Sequence, residues 1–311
     1  MKLELPSGFR KPDNDDAGPQ IEQACDWIES EVLFLSSQVT RTEVGDSLEE
    51  SGILNGAESR DFAEELWRRL RERIHQSGGN SPFTVKDQTI SSKVNTFKDA
   101  SSYAFCLLVS YAHHHKTWAT KCKFKYNLQG ANFEDLVCPA MGKLFPGWTV
   151  YPTGWAKGRT TGGRKIIQNI ADLLCGNIGD LKRWTNRQVK EAQLDALCYR
   201  SFPDQRGNLP AFFIQCASGA NLEKKLREPD MELWNKLVCL VPASLPRRAV
   251  VTPNVLPRRK FDHFANKSSG LLIDRLRIAS AGPENDWLEK TTQKRLSSWL
   301  TAYVKKLPFA A

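Results

Sequence analysis

The sequence predicts an α/β protein in which helices cover a mixed sheet, with an all-α domain before the sheet and a helical tail after it. Between residues 126 and 250, helix-like and strand-like segments follow in the order α, β, α, β, β, α, β. Before them, Phe62, Leu66 and Leu70 lie on one face of a long amphipathic segment. After them, residues 294–307 predict a closing helix with basic residues at its carboxyl end.

Domain bounds follow from changes in composition along the chain. Residues 1–19 are rich in Pro, Gly, Asn and Asp, which predicts a flexible N-terminal segment. We expect an α-helical domain at 20–125, the α/β core at 126–250 and a largely helical extension at 251–311. The spacing of the helical domain leaves open whether it docks a partner or mediates oligomerisation.

Composition and charge narrow the class of protein. The 311 residues are 41% hydrophobic and 25% charged, as in ordinary globular proteins. Apolar runs such as Tyr103 to Ala112 are shorter than the roughly 20 residues of a membrane span, and no secretory signal opens the chain, so we expect a cytoplasmic protein without a membrane partner. The eight cysteines form no CxxC pair, which favours reduced thiols. A net charge of +9 favours a polyanionic partner.

Two neighbouring strand-like runs carry the residues with catalytic potential. Side chains alternate along residues 193–200 and 211–217, so that a hairpin between these runs brings Asp195 and Gln215 together. A carboxylate and an amide oxygen suit Mg²⁺, which completes its octahedron with water and phosphate. Lys224 and Lys225 follow closely, and an ammonium group there can orient or deprotonate an attacking water. Glu134, on a short helix at the start of the core, adds a carboxylate that can act through a water.

This ordered set resembles the PD-(D/E)xK nuclease superfamily, with its restriction-endonuclease-like fold, over about a third of the chain from Gly130 to Pro242. By the resemblance, Glu134 matches the acid of the first core helix, Asp195 the strand Asp, and Gln215 the first residue of the (D/E/Q)xK motif. The resemblance implies a metal-dependent nuclease that hydrolyses phosphodiester bonds, with DNA favoured. It also implies Mg²⁺ as cofactor, replaceable by Mn²⁺, and the backbone carbonyl of Cys216 as a further ligand.

The sequence departs from the family at one position, because the lysine expected two residues after Gln215 is Ala217. Some members of the family place that lysine on the following helix, where Lys225 is the first choice here and Lys224 the second. The stretch from residue 215 to 226 also resembles nuclease modules of bacterial anti-phage defence systems. A nuclease of this kind threatens its host, so we expect restraint by a regulatory partner protein or by homo-oligomerisation.

A glycine-rich basic loop precedes the second helix of the core. A phosphate-loop interpretation of residues 158–165 fails, because Arg164 and Lys165 occupy the places where that motif needs Lys and then Ser or Thr. Contact with nucleic-acid phosphates is the better use of the cationic residues Lys157, Arg159, Arg164 and Lys165. A solvated loop without a ligand is the alternative.

Two other functions stay open at this stage. The nuclease fold can be inactive and serve as a subunit that binds nucleic acid or a protein, as Ala217 permits. A purely structural partner protein is the third interpretation. Each of the three residues also has an alternative without a catalytic role. Asp195 can cap a turn, Gln215 can be a satisfied core amide, and Glu134 can serve only to interact favourably with the dipole of its helix.

Overall fold

A computed structural model confirms the α/β class, with a five-stranded mixed sheet and many helices. The structure describes residues 1–11, 18–153, 162–183, 192, 194–239 and 245–310. The chain folds as two units, one made of Met1–Lys125, Pro253–Lys260 and Asp274–Ala311, the other of Tyr126–Thr252 and Phe261–Ile273. Residues 251–311, predicted as one extension, are thus divided between the two units.

The helices and strands have the following bounds. Up to residue 125 they are α1 (Gly18–Glu31), β1 (Gln38–Thr40), α2 (Arg41–Glu50), α3 (Gly56–Gln76), β2 (Phe83–Lys86), β3 (Thr89–Ser92), α4 (Ser101–His114) and α5 (Lys116–Lys121). They continue with α6 (Tyr126–Leu144), β4 (Thr149–Pro152), α7 (Gly163–Leu173), β5 (Asn177–Ile178), β6 (Ala196–Tyr199), β7 (Ala211–Cys216), α8 (Leu222–Lys225), α9 (Met231–Leu237), β8 (Val238–Cys239), β9 (Arg247–Val251), α10 (Arg258–Ser268) and β10 (Leu271–Ile273). The last two helices are α11 (Arg275–Ala279) and α12 (Lys290–Val304). Short 3₁₀ turns cover Phe97–Ala100, Leu181–Arg183 and Glu284–Asp286, and a π-helical turn covers Val32–Ser36.

The expectation of an all-α N-terminal domain is wrong, because the first unit contains a small antiparallel sheet in the order β1, β3, β2. Phe83 and Ile90 are buried on adjacent strands, and polar Thr and Ser residues alternate with them. Asp87 takes a positive φ of 42° in the turn between β2 and β3, as short hairpin turns often require. The many Thr and Ser residues concealed this alternation in the sequence.

A buried ion network holds the helices of the first unit together. Arg73 on α3 is 1% exposed, and its guanidinium contacts Glu22 at 2.6 Å and both Asp26 and Glu29 at 2.9 Å, all three on α1. Arg275 on α11 also binds Asp26 and Glu29. Burial raises the pKa of Asp26, but Arg275 and Arg73 overcome that effect and lower it on balance. Asp26 therefore depends on the two arginines for its charge.

The sheet of the second unit has the strand order β10, β9, β7, β6, β4. Strand β7 lies at its centre, antiparallel to β6 and parallel to β9. Strand β4 pairs antiparallel with β6, and β10 pairs parallel with β9. The hairpin expected between the two runs that contain Asp195 and Gln215 is present as β6 and β7, with Ala196 opposite Ile214.

Helices cover this sheet. On one face, Leu197 and Phe213 pack into an apolar core with Ile167 and Ile170 of α7 and with Trp234 of α9. Helix α6 packs against β4, β6 and β7, and Phe145, directly after it, contacts Phe212 with ring centroids 5.3 Å apart. Phe212 and Phe213 point to opposite faces, since side chains alternate along a strand. Helix α6 therefore lies on the face away from α7 and α9.

Three segments differ in detail from the sequence expectations. The helix expected to be short and to carry Glu134 is α6, a single helix of 19 residues that includes Gly130. Within the extension predicted as largely helical, residues 271–273 form strand β10, which the sequence did not reveal because a short apolar run has no distinguishing period. In the N-terminal segment 1–19, Leu3 is 1% exposed and its backbone oxygen accepts a hydrogen bond from Trp27 at 3.0 Å, whereas residues 12–17 lie outside the described part.

Not one of the described helices combines the length with the apolar content that a membrane span needs.

Candidate metal and phosphate site

Asp195 is fixed by backbone hydrogen bonds at the start of β6. Its N–H donates to the carbonyl of Ile214 on β7 at 3.1 Å, and its own carbonyl accepts from the N–H of Thr153 at 3.0 Å. A few residues earlier, the carbonyl of Ala192 accepts a hydrogen bond from the buried indole of Trp234 at 2.7 Å. Neighbours on both sides therefore hold this part of the chain in place.

The carboxylate of Asp195 and the amide of Gln215 meet at the end of the hairpin. Gln215 Nε2 and the backbone N–H of Cys216 each donate to Asp195 Oδ2 at 2.7 Å. Asp195 is 8% exposed and Gln215 3% exposed. The side-chain alternation in the sequence thus brings together the two residues that it singled out.

One atom of this pair is left without a hydrogen-bond partner among the described residues. Gln215 Oε1 is buried and accepts no hydrogen bond, while Nε2 of the same amide is bound to Asp195. Buried acceptors are nearly always satisfied, and an unsatisfied one calls for an explanation such as a water or an ion. Among the described residues, the amide of Gln215 is therefore satisfied at Nε2 and unsatisfied at Oε1.

The environment of Asp195 raises its pKa to about 6. Burial is the largest cause, and the negative charge of Glu228 adds to the rise. The N–H of Cys216 and the positive charge of Lys225 act in the opposite direction. Near pH 7 the carboxylate is mostly ionised but has too little positive charge around it, which is a favourable setting for a cation.

The structure distinguishes the two candidate lysines of α8. Lys225 Nζ lies 2.5 Å from Glu228 Oε2, and the charge of Lys225 acts on the pKa of Asp195. Lys224 is exposed and is not among the groups that shift Asp195. Of the two, Lys225 is therefore the lysine whose charge reaches the carboxylate.

Glu134 projects from α6 and is 8% exposed. One helical turn further on lies Cys138, whose pKa burial raises to about 12, with Glu134 and Asp195 both adding to the rise. Cys138 is therefore within electrostatic reach of the two carboxylates and stays a neutral thiol. The role of Glu134 at a metal through a water stays a prediction.

The donors at this site suit a metal ion that needs few protein ligands. Within the described ranges, no three His, Cys, Asp or Glu side chains form a metal-binding group. An Mg²⁺ site needs fewer protein ligands, because one or two carboxylates suffice when water and phosphate fill the other positions. Asp195 and the unpartnered Gln215 Oε1 fit that requirement, and the backbone carbonyl of Cys216 stays a predicted third ligand.

The predicted basic loop is only partly visible. Lys157 and Arg159 lie outside the described residues. Arg164 and Lys165 occupy the first turn of α7, and both are exposed. The helix dipole disfavours cations at the amino end of a helix and favours anions. An anion bound there is therefore stabilised by the dipole and by the charges of the two side chains. Their contact with nucleic acid stays a prediction.

Sequence reasoning missed two residues near Asp195. Glu228 follows Lys225 by three positions, a spacing at which oppositely charged side chains pair, and this signal was available in the sequence. Cys138 is recognisable only from the structure, because nothing in the sequence relates its helix to the hairpin. Neither residue belongs to a motif.

The chain was compared with protein-family models, with curated proteins and with solved structures. No family model, curated protein or solved structure matches it.

Proposed function

We propose that this protein is a metal-dependent nuclease that hydrolyses phosphodiester bonds, with DNA the favoured substrate and Mg²⁺ the cofactor. One observation carries the proposal: Gln215 Oε1, buried and without a partner among the residues that the structure describes, lies on the side chain that binds Asp195, whose pKa burial raises to about 6. A divalent cation would satisfy both groups at once. Mn²⁺ is expected to replace Mg²⁺.

The order of the elements supports a restriction-endonuclease-like core. Glu134 lies on α6, Asp195 at the start of β6, Gln215 on β7 and Lys225 on α8, in the order that the resemblance to PD-(D/E)xK nucleases implies. A role in bacterial defence against phage, in the cytoplasm and under a regulatory partner or self-assembly, is part of the same proposal. It rests on the sequence resemblance alone.

Each residue has a distinct role in the proposed reaction. Asp195 and Gln215 Oε1 would hold the ion, which would supply Lewis-acid stabilisation of the phosphate charge and lower the pKa of a water. Lys225 orients the attacking water or stabilises the charge that develops on the phosphate. Glu228 keeps the ammonium of Lys225 in place by their ion pair. Arg164 and Lys165 bind phosphates outside the reacting one.

A cleavage assay with matched variants tests this function. Plasmid DNA and single-stranded RNA are incubated with wild type, Asp195→Asn, Lys225→Ala and Lys224→Ala in Mg²⁺, in Mn²⁺ and in EDTA. We expect metal-dependent cleavage that Asp195→Asn abolishes and that Lys225→Ala slows by about 10²- to 10⁴-fold. Lys224→Ala, on the same helix, is the control and keeps wild-type activity. Cleavage that Asp195→Asn leaves unchanged, or that proceeds in EDTA, contradicts the proposal.

A second candidate function is favoured by Ala217, which stands where the family motif has its lysine, and by the ion pair that engages Lys225. In this alternative the nuclease fold is inactive and binds nucleic acid or a partner protein. Binding is then the same in Mg²⁺ and in EDTA, and Asp195→Asn binds as well as wild type. Any complex that co-purifies with the protein belongs in the cleavage assay, so that a missing partner is not mistaken for inactivity.

A further inference from the structure

An aromatic cluster lies at the end of the sheet away from Gln215. Gly147 takes a positive φ of 80° and turns the chain from α6 into β4, next to Trp148. The indole of Trp148 stacks on Phe212 with ring centroids 5.5 Å apart and an interplanar angle of 21°. Phe145 contacts both rings, and all three side chains are only partly buried. Rings of this size are usually covered, so the cluster presents apolar surface to solvent.

A groove opens beside these rings, with a volume of about 420 Å³. This size falls within the roughly 300–1,000 Å³ of small-ligand sites. Its lining residues are Trp148, Asn208, Leu209, Pro210, Ala211, Phe212, Leu245 and Arg247. Leu245 at the groove is 44% exposed, which is unusual for a large apolar side chain.

The charge of this groove is positive. Arg247 is exposed, and among the described residues that line the groove it is the charged one, with no Asp or Glu beside it. The guanidinium of Arg200, also exposed, lies 4.0 Å from the position that a Cβ on Gly147 would take. Aromatic rings flanked by arginines match a ligand with a flat apolar part and a negative charge.

The groove is separate from the Asp195 cluster. Phe212 and Gln215 are three residues apart on β7, so their Cα atoms are about 10 Å apart. Their side chains point to opposite faces of the sheet, because their positions along the strand differ by an odd number. A ligand of the groove is therefore bound by contacts that the metal site does not make.

We propose that this groove binds an unpaired nucleobase of single-stranded nucleic acid. The base stacks in the aromatic cluster of Phe145, Trp148 and Phe212 beside Leu245, and Arg247 binds the adjoining phosphate. The inference rests on the proposed function only in taking nucleic acid as the ligand. Stacking on aromatic side chains tolerates any base, so the groove selects single strands over duplexes and not one sequence over another.

Fluorescence anisotropy in EDTA tests the groove without cleavage. The probes are labelled oligo(dT), oligo(rU), a base-free deoxyribose-phosphate strand of the same length, and a duplex. The variants are Arg247→Ala and Leu245→Glu, with Phe202→Glu as the control. Leu245 is 44% exposed and Phe202 47% exposed, and both lie in the second unit, but only Leu245 lines the groove. Leu245→Glu and Phe202→Glu place the same charge on an exposed side chain and leave the core intact.

We expect wild type to bind oligo(dT) or oligo(rU) at least about fivefold more tightly than the base-free strand, as the stacking of one base requires. Leu245→Glu and Arg247→Ala lose about that factor, and Phe202→Glu does not. The stronger of the two oligonucleotide probes tells whether DNA or RNA is the source of the base. Equal binding of the base-free strand, tighter binding of the duplex, equal affinities of Leu245→Glu and Phe202→Glu, or no binding of a single strand overturns the proposal.

This experiment also separates the groove from the proposed function. If the protein binds single strands in EDTA through Leu245 but never cuts in Mg²⁺ or Mn²⁺, the proposed function is wrong and the proposal for the groove stands. If cleavage depends on Asp195 but wild type and Leu245→Glu bind oligonucleotides equally well, the proposal for the groove is wrong and the proposed function stands.

Discussion

Gln215 Nε2 donates a hydrogen bond to Asp195 Oδ2 over 2.7 Å, and the opposite atom of the same amide, Oε1, is buried without a partner among the described residues. The orientation that satisfies the carboxylate thus leaves the carbonyl oxygen unsatisfied. Burial still raises the pKa of Asp195 to about 6 in spite of that hydrogen bond. A cation next to the two oxygens would satisfy Gln215 Oε1 and balance the negative charge of Asp195.

The first prediction concerns stability. The pKa of Asp195 rises from an ordinary 3.8 to about 6 on folding, so its favourable contribution is complete below pH 3.8 and is lost as the pH rises through 6. A shift of this size corresponds to about 3 kcal/mol. Asp195→Asn removes the ionisation and should raise the free energy of unfolding by about 1–3 kcal/mol at pH 8, with no gain below pH 4. Urea denaturation at both pH values measures the difference.

The control for this stability experiment is Asp204→Asn, since Asp204 belongs to the same unit and has a side chain that is 43% exposed. It should change the free energy of unfolding by less than about 0.5 kcal/mol at either pH. An Asp195→Asn protein that is less stable than wild type at pH 8 contradicts the pKa assigned to Asp195.

The second prediction concerns metal binding. Mg²⁺ or Mn²⁺ should raise the melting temperature of wild type at pH 8, because an ion that binds only the folded state stabilises it. The effect should fall as the pH drops below 6, where protonated Asp195 no longer binds a cation. Thermal unfolding with added metal and with EDTA measures the shift. An equal shift in Asp195→Asn would place the metal elsewhere.

The third prediction concerns the two charges around Asp195. Lys225 lowers the pKa of this carboxyl and Glu228 raises it, so Lys225→Ala should move the pKa upward and Glu228→Gln should move it downward. The pH dependence of cleavage, or of metal binding, reports the shift as a displaced midpoint near pH 6. Lys224→Ala serves as the control, and a midpoint that moves equally with it would show that only net charge matters.

The fourth prediction concerns the buried ion network of the first unit. Arg73→Ala leaves Glu22, Asp26 and Glu29 buried without their central cation, which should cost about 3–5 kcal/mol of stability. Arg68→Ala, on the same helix, removes an arginine whose side chain is 62% exposed and should cost less than about 1 kcal/mol. Chemical denaturation compares the two variants. Similar losses would mean that the buried network contributes little.

The sequence was informative where local patterns decide structure. Alternation along β6 and β7 predicted that Asp195 and Gln215 converge, because the period of two fixes which side chains share a face. The same reasoning failed for Phe83 to Ser92, where polar residues hid a hairpin, and for residues 271–273, where a short apolar run gave no period. Short strands are the elements that local patterns identify least well.

The sequence by itself determined the α/β class of the second unit and the pairing of Asp195 with Gln215, since both follow from periodicity along single strands and helices. Only the tertiary structure decided which lysine acts on Asp195, that Glu228 pairs with it, and that Cys138 lies near both carboxylates. It also decided that Gln215 Oε1 is buried without a partner in the described part of the chain and that Trp148 and Arg247 line one groove. These facts depend on distances between segments that are far apart in the chain and on burial, which sets the strength of electrostatic interactions. No local sequence pattern encodes either of them.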